Sequence, residues 1–291
     1  MAILPSIDVW SPMTREQRQQ FERDGYLIIS DVLSEDEVNF YTAAIDHLYE
    51  KSGHSGAAMH MLSAVASCPE LVGLIDHPRT LPLVWSILGW NCHVYHSHID
   101  VHPRVVEQPP VRWEWHQDGG RQNREIETDP RPRLSVKLAY WLSDVSRTGH
   151  GNFTIIPGSH KTNWLPGPPR RDVSWPRPAE AIEVTVNPGD VVFFDRRVWH
   201  ARSLNFSPIT RKGVFFGYTY RWVHIRDEVA HLPREQWWKR LNEVQRQLLG
   251  EGSEGSSSGD HRWGHFPEIT PLYQELKRRG LLNPEYPPLI P

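Results

Sequence analysis

Cysteine is nearly missing from this chain: Cys68 and Cys92 are the only two among 291 residues. Two widely separated thiols leave room for one bridge at most, exclude a disulfide framework, and suit a reducing compartment, so a cytoplasmic location is expected. No apolar run approaches the roughly 18 residues of a membrane span, and the segment from Met1 to Asp8 has neither a basic leader nor an apolar core. A membrane partner is therefore not expected. There is no polybasic block either, and the net charge is only -3, which argues against nucleic acid as a partner.

Turn formers and aromatics are plentiful instead. With 25 Pro, 20 Gly and 13 Trp, the composition fits many turns around an aromatic-rich interior and does not fit a helical bundle. The expected organisation is one domain in three parts: an N-terminal helical support over 1–90, a β core over 91–222, and a C-terminal helical extension over 223–291 with a flexible tract at 250–259. Thr14 to Gln17 reads as a capping box opening a helix to about Arg23, and Tyr26 to Ser30 as a short strand. Ser34 with Glu37 opens a second helix whose apolar face is Val38, Tyr41, Ile45 and Leu48. Lys51 to Met61 has no periodicity and reads as a loop, either a lid or a plain connector. Pro69 to Leu88 reads as helix interrupted by Pro78 and Pro82, with Gly89 as its stop.

Strands follow, over Cys92–His102, Val111–Gln117, Leu134–Leu142, Gly151–Ile156, Ala181–Val186, Val191–Phe194 and Val214–Trp222. Asn187 to Asp190 is a turn, and Thr162 to Pro178 an irregular excursion. Seven or eight short strands separated by turns predict a double-sheet jelly roll or a small barrel. Glu235 to Leu249 is the best helix of the C-terminal part.

The chemistry centres on Trp115-His116-Gln117-Asp118. In a strand, residues two apart share a face, so one imidazole and one carboxylate can reach one ion. A third donor lies 82 positions beyond Asp118, where His200 follows the apolar run from Val191. Two His and one carboxylate are the ligand set of non-haem Fe(II) oxygenases. Eleven residues further on, Arg211 offers a planar fork suited to a carboxylate, although a solvated arginine at a strand start would look the same. His96, His98 and Asp100 alternate onto one face of their strand, as pocket lining or as a solvated edge. Trp113, Tyr140, Trp199 and Phe215 are candidates for shaping a substrate pocket, or for ordinary core packing.

In order along the chain, Phe21 to Ile29, Trp115 to Asp118, Gly151 with Pro157-Gly158-Ser159-His160-Lys161, Pro188-Gly189-Asp190, His200 and Arg211 resemble the phytanoyl-CoA dioxygenase family. That family of Fe(II)/2-oxoglutarate dioxygenases includes the ectoine hydroxylases. The resemblance implies a mainly β fold with flanking helices, the cupin-like double-stranded β-helix. It implies His116, Asp118 and His200 as iron ligands and Arg211 as the anchor for the distal carboxylate of 2-oxoglutarate. By the same resemblance His160 belongs to a structural turn, and the face bearing His98 looks towards the cosubstrate. Two residues after the distal His the chain departs from the ectoine enzymes, placing Arg202 and then Ser203 where those enzymes have a small hydroxylated residue; either would assist cosubstrate binding.

With iron, 2-oxoglutarate and O2, such an enzyme hydroxylates an unactivated C–H bond and releases succinate and CO2. The substrate class is a small molecule, a secondary metabolite or an amino-acid-like or carrier-bound acid; desaturation, epoxidation and rearrangement stay open. Retention of Asp118 argues against the related halogenases. Two other readings of the same residues are a zinc hydrolase, which leaves Arg211 and Gly151–His160 unexplained, and a non-catalytic jelly-roll module.

Overall fold

The computed structural model describes residues 10–54, 56–106, 114–120, 122–165, 177–228, 238–252 and 267–282. By contact the chain divides into two compact units. One is drawn from Arg15–Met61 and His98–Phe215, the other from Met1–Thr14, Leu62–Ser97 and Phe216–Pro291.

The strands are β1 (Tyr26–Ile29), β2 (Met59–Leu62), β3 (Cys92–His102), β4 (Ser135–Trp141), β5 (Phe153–Ile155), β6 (Ile182–Val184), β7 (Val191–Asp195), β8 (His200–Arg202) and β9 (Arg211–Tyr220). They form a six-stranded sheet in the order β1-β7-β4-β9-β3-β2 and a three-stranded sheet in the order β6-β5-β8. This is the expected jelly roll with flanking helices. Its core lies between the sheets, where Ala139, Trp141, Val192, Phe194 and Phe215 of the larger meet Phe153, Ile155 and Val184 of the smaller. Alternation explains the selection: along β4 every second residue, 137, 139 and 141, faces inward.

Helix α1 (Arg15–Asp24) buries Phe21, which stacks on Phe193 of β7 at 4.9 Å between ring centroids. Helix α2 (Glu35–Lys51) begins at the expected capping box: Glu37 N–H donates to Ser34 Oγ at 3.3 Å and Ser34 N–H to Glu37 Oε2 at 2.8 Å. In the other unit, Pro69–Ile75 yields only a 3-10 segment, Pro69–Leu74, and helix proper is confined to Leu81–Leu88 with its stop at Gly89. There Cys68 and Cys92 are both buried free thiols. Of the helix expected over 235–249, residues 235–237 lie outside the described residues; the described part holds a 3-10 turn, Trp238–Arg240, and a helix, Glu243–Leu248, whose N-cap Asn242 accepts from Gln245 N–H at 2.7 Å. Pro271–Arg278, in the tail, is a helix that buries Leu272 and Leu276. Among the described residues no helix is long and apolar enough to cross a membrane.

Two expectations near the site need correction. Met59–Leu62 is strand, not loop, because it completes the edge of the large sheet beside β3. No strand carries His116: the described part of Val111–Gln117 touches the small sheet only through an isolated antiparallel bridge between His116 and His200. Residues 111–113, with Trp113, lie outside the described residues, as do 166–176 of the Thr162–Pro178 excursion and 253–259 of the expected flexible tract.

Candidate metal centre and cosubstrate pocket

Backbone pairing between two distant segments builds the first cluster. His116 N–H donates to His200 O at 3.0 Å and His200 N–H donates back to His116 O at 2.9 Å, the geometry of a closely hydrogen-bonded antiparallel pair. The rings face each other with centroids 4.2 Å apart. Two residues on, Asp118 N–H bonds Arg196 O at 2.9 Å, and Asn123 Nδ2, on the short helix Gln122–Glu125, holds Asp118 O at 3.0 Å. Gly119 makes the turn possible: its φ is +120°, and a Cβ there would collide with Arg196 Nη1 and Asn123 Oδ1.

Ligand atoms of His116, Asp118 and His200 all lie within 4.8 Å of one another. Each imidazole places Nδ1 at 2.8 Å from a backbone carbonyl, that of Glu114 for His116 and that of Val198 for His200. A carbonyl can only accept, so Nδ1 carries a proton on each ring and Nε2 is the nitrogen left for the cluster. Such a second bond to each ligating imidazole is the usual support of a metal site. Burial, and then the neighbouring His116, push His200 down to about 3, so the ring is neutral at neutral pH. Burial acts to raise Asp118, but Lys137, His200 and His116 hold it far below the usual carboxylate range. A neutral His200 imidazole beside an ionised carboxylate fits a divalent ion.

Flanking contacts fix His200. Trp199 N–H donates to Ser159 Oγ at 2.9 Å, and the buried His160 lies 3.2 Å from Glu22 O through Nε2; the Pro-Gly-Ser-His turn is thus a fastening, as expected. Before β8, Asp195 accepts from Arg133 Nε at 2.6 Å and from Arg197 Nε and Nη2 at 2.9 and 2.7 Å. The apolar run therefore ends at Asp195, and His200 opens a separate strand after a turn.

A second cluster surrounds Asp100. Arg211 Nη1 donates to Asp100 Oδ2 at 3.1 Å, and His60 Nδ1 lies 2.6 Å from Oδ1. Arg202 Nη1 is 2.8 Å from His102 Nε2 and 4.0 Å from Asp100 Oδ2. His98 stacks on Phe215 at 4.5 Å and tilts against His60 at 4.7 Å. The Arg211 guanidinium is buried, 4.7 Å from the Trp141 ring and 5.7 Å from Phe215, and its Nε has no partner among the described residues. Gly151, at φ +76°, leaves space for the Arg211 stem: a Cβ there would lie 3.4 Å from Arg211 Cγ.

His60, His98 and Asp100 also bring three ligand atoms within 4.8 Å, yet both Asp100 oxygens are engaged by cationic or hydrogen-bonding groups. Two guanidinium groups face one carboxylate, so this cluster favours a further anion over a metal. Burial acts to raise Asp100, while His102, His60 and Arg211 hold it well below the usual range; burial pushes His102 down, which leaves it neutral to accept from Arg202.

The structure thus gathers His98, Arg202 and Arg211, but Ser203 is engaged elsewhere, its hydroxyl 3.3 Å and its N–H 3.0 Å from Asn152 O. His96 lies 3.7 Å from Asp227 in the other unit's own contacts and does not join Asp100. Tyr140 and Trp199 are buried in packing. Sequence reasoning missed His60, His102 and Lys137. Lys137 left a signal, a single charge inside the apolar run from Leu134 to Leu142.

The description of the phytanoyl-CoA dioxygenase family matches residues 21–213. The chain belongs to that family. It is a dioxygenase, an oxidoreductase. The ectoine dioxygenase of Stutzerimonas stutzeri strain A1501 is 24% identical over 241 residues, covering 72% of this chain and 78% of that protein. SnoK, a non-haem α-ketoglutarate-dependent carbocyclase from nogalamycin biosynthesis, is 26% identical with a TM-score of 0.58 over 79% of this chain and 91% of that one. HygX of Streptomyces hygroscopicus, solved with nickel and 2-oxoglutarate bound, shares the fold at a TM-score of 0.60 and 20% identity, covering 74% of this dioxygenase and 90% of HygX.

Proposed function

We propose that this dioxygenase hydroxylates an unactivated C–H bond of a small molecule, a secondary metabolite or an amino-acid-like or carrier-bound acid, and releases succinate and CO2. It is an Fe(II)- and 2-oxoglutarate-dependent enzyme that uses O2. His116, Asp118 and His200 hold the iron, and the observation that carries this is the paired Nδ1–carbonyl bonds, which leave Nε2 of each ring for an ion in a cluster whose ligand atoms lie within 4.8 Å of one another. Bound there, the metal supplies the oxidative chemistry, which belongs to it and not to the protein.

The chain's own part is to bind and orient. Arg211 receives the distal carboxylate of 2-oxoglutarate through its uncommitted Nε, with Asp100 steadying Nη1 and the faces of Trp141 and Phe215 excluding water from the guanidinium. Arg202 adds positive charge at the same cluster, and His98 packs the space between Phe215 and His60. Charge supports this reading: Arg211 and Arg202 exceed Asp100 by one, and one incoming carboxylate restores balance.

The reading is tested by iron- and ascorbate-dependent conversion of 2-oxoglutarate to succinate, with a panel of small molecules and carrier-bound acids screened for stimulation and for an added oxygen. Uncoupled or substrate-stimulated succinate formation is expected. Absence of 2-oxoglutarate binding to the metal-loaded protein would defeat it.

A further inference from the structure

Lys137 occupies the middle of β4 between Val136 and Leu138, both fully buried, and is itself 4% exposed. Its inward register, opposite Phe194 and on the face of Ala139 and Trp141, carries the side chain to the metal-ligand cluster. There Nζ lies 2.8 Å from Asp118 Oδ2, and that same oxygen is the one 3.7 Å from His200 Nε2. A buried ammonium is costly without an opposite charge, so the carboxylate stabilises it. The oxygen it holds is also the oxygen turned towards the imidazole that would share a metal.

We propose that Lys137 is a resident counter-cation that competes with the metal for Asp118 and thereby couples metal affinity to cosubstrate binding. This rests on His116, Asp118 and His200 being the metal ligands. A divalent ion entering the cluster must share or displace a unit positive charge already on its carboxylate, and like charges this close in a partly desolvated site repel strongly. Metal alone therefore binds less tightly than the donor set would otherwise allow. The dianion 2-oxoglutarate offsets the excess positive charge, so it tightens metal binding, and by reciprocity metal tightens its own. Lys137 is a tuning residue in this sense and takes no part in a bond-making step.

Calorimetric titration of the metal-free full-length protein with nickel(II), with and without 2-oxoglutarate, tests this without turnover. Lys137→Met and Lys137→Gln should bind nickel at least about 10-fold more tightly than wild type, the scale of an outer-sphere change at a metal site. Lys137→Arg should stay near wild type. The tightening of nickel binding by 2-oxoglutarate should be smaller in both neutral variants. Unchanged or weaker nickel affinity in folded Lys137→Gln overturns the proposal. Should neither neutral variant fold, the wild-type arm decides, since 2-oxoglutarate that leaves nickel affinity unaltered removes the coupling. Wild type that binds nickel but no 2-oxoglutarate defeats the proposed function itself; binding of both with an indifferent Lys137→Gln defeats only the role of Lys137.

Discussion

Arg211 meets Asp100 across the sheet through Nη1 and Oδ2 at 3.1 Å, while its buried Nε stays without a partner among the described residues. The protein's own carboxylate thus takes one edge of the guanidinium and leaves another for a second carboxylate.

Arg211→Ala should chiefly weaken 2-oxoglutarate binding, because the pair is present in both ground and transition states. Loss of a desolvated charge-assisted pair costs about 2–5 kcal/mol, on the order of 30- to several-thousand-fold in affinity. Titration of 2-oxoglutarate should show this with metal binding nearly unaltered. Arg211→Lys should recover part of the loss, since an ammonium lacks the fork. Wild-type affinity in Arg211→Ala would move the anchor to Arg202.

His116→Ala and His200→Ala should each abolish turnover and leave the fold in place, because a ligand cluster is a small part of the stability of a domain this size. Succinate formation and circular dichroism measure the two. More than about a tenth of wild-type activity in either variant would count against the triad, since outer-sphere losses alone reach ~10–100-fold. Asp118→Gly should also be inactive.

At Gly119 a methyl group should act on both stability and activity. The φ of +120° is strained for an L side chain, and Arg196 and Asn123 fill the space. Gly119→Ala should lower stability by roughly 1–3 kcal/mol and displace Asp118, measurable by denaturant unfolding together with nickel affinity. A variant equal to wild type in both would remove the role assigned to this turn.

Asp195 should govern acid stability. Burial acts to raise it, but Arg197 and Arg133 bring it down to about 2. Its folded value is thus below the unfolded value of about 3.9, so its contribution is present above that value and fades as pH falls from about 4 towards 2. Asp195→Asn should cost about 3–5 kcal/mol at neutral pH by stranding buried arginines. Unfolding free energies across that window should fall more steeply in wild type than in Asp195→Asn.

Much of the fold is local and was readable. Ser34 and Glu37 cap a helix across three residues, β3 fills Cys92–His102 as its alternation predicts, and Gly89 stops a helix. Within the stretch expected as the C-terminal helix, Asn242, a good N-cap, starts the helix Glu243–Leu248. Met59–Leu62 was misread because its residues lack strand periodicity, and edge pairing decides their conformation.

The candidate site divides in the same way. Spacing alone marks His116 with Asp118, and the order of motifs marks His200 and Arg211, because ligand types and a short separation are properties of the chain. Which oxygen faces which ring, the pairing of Arg211 with Asp100 across 111 positions, and the approach of Lys137 to Asp118 depend on strand order and register. Those are set by burial of the shared core between two sheets, a long-range condition that no local pattern encodes.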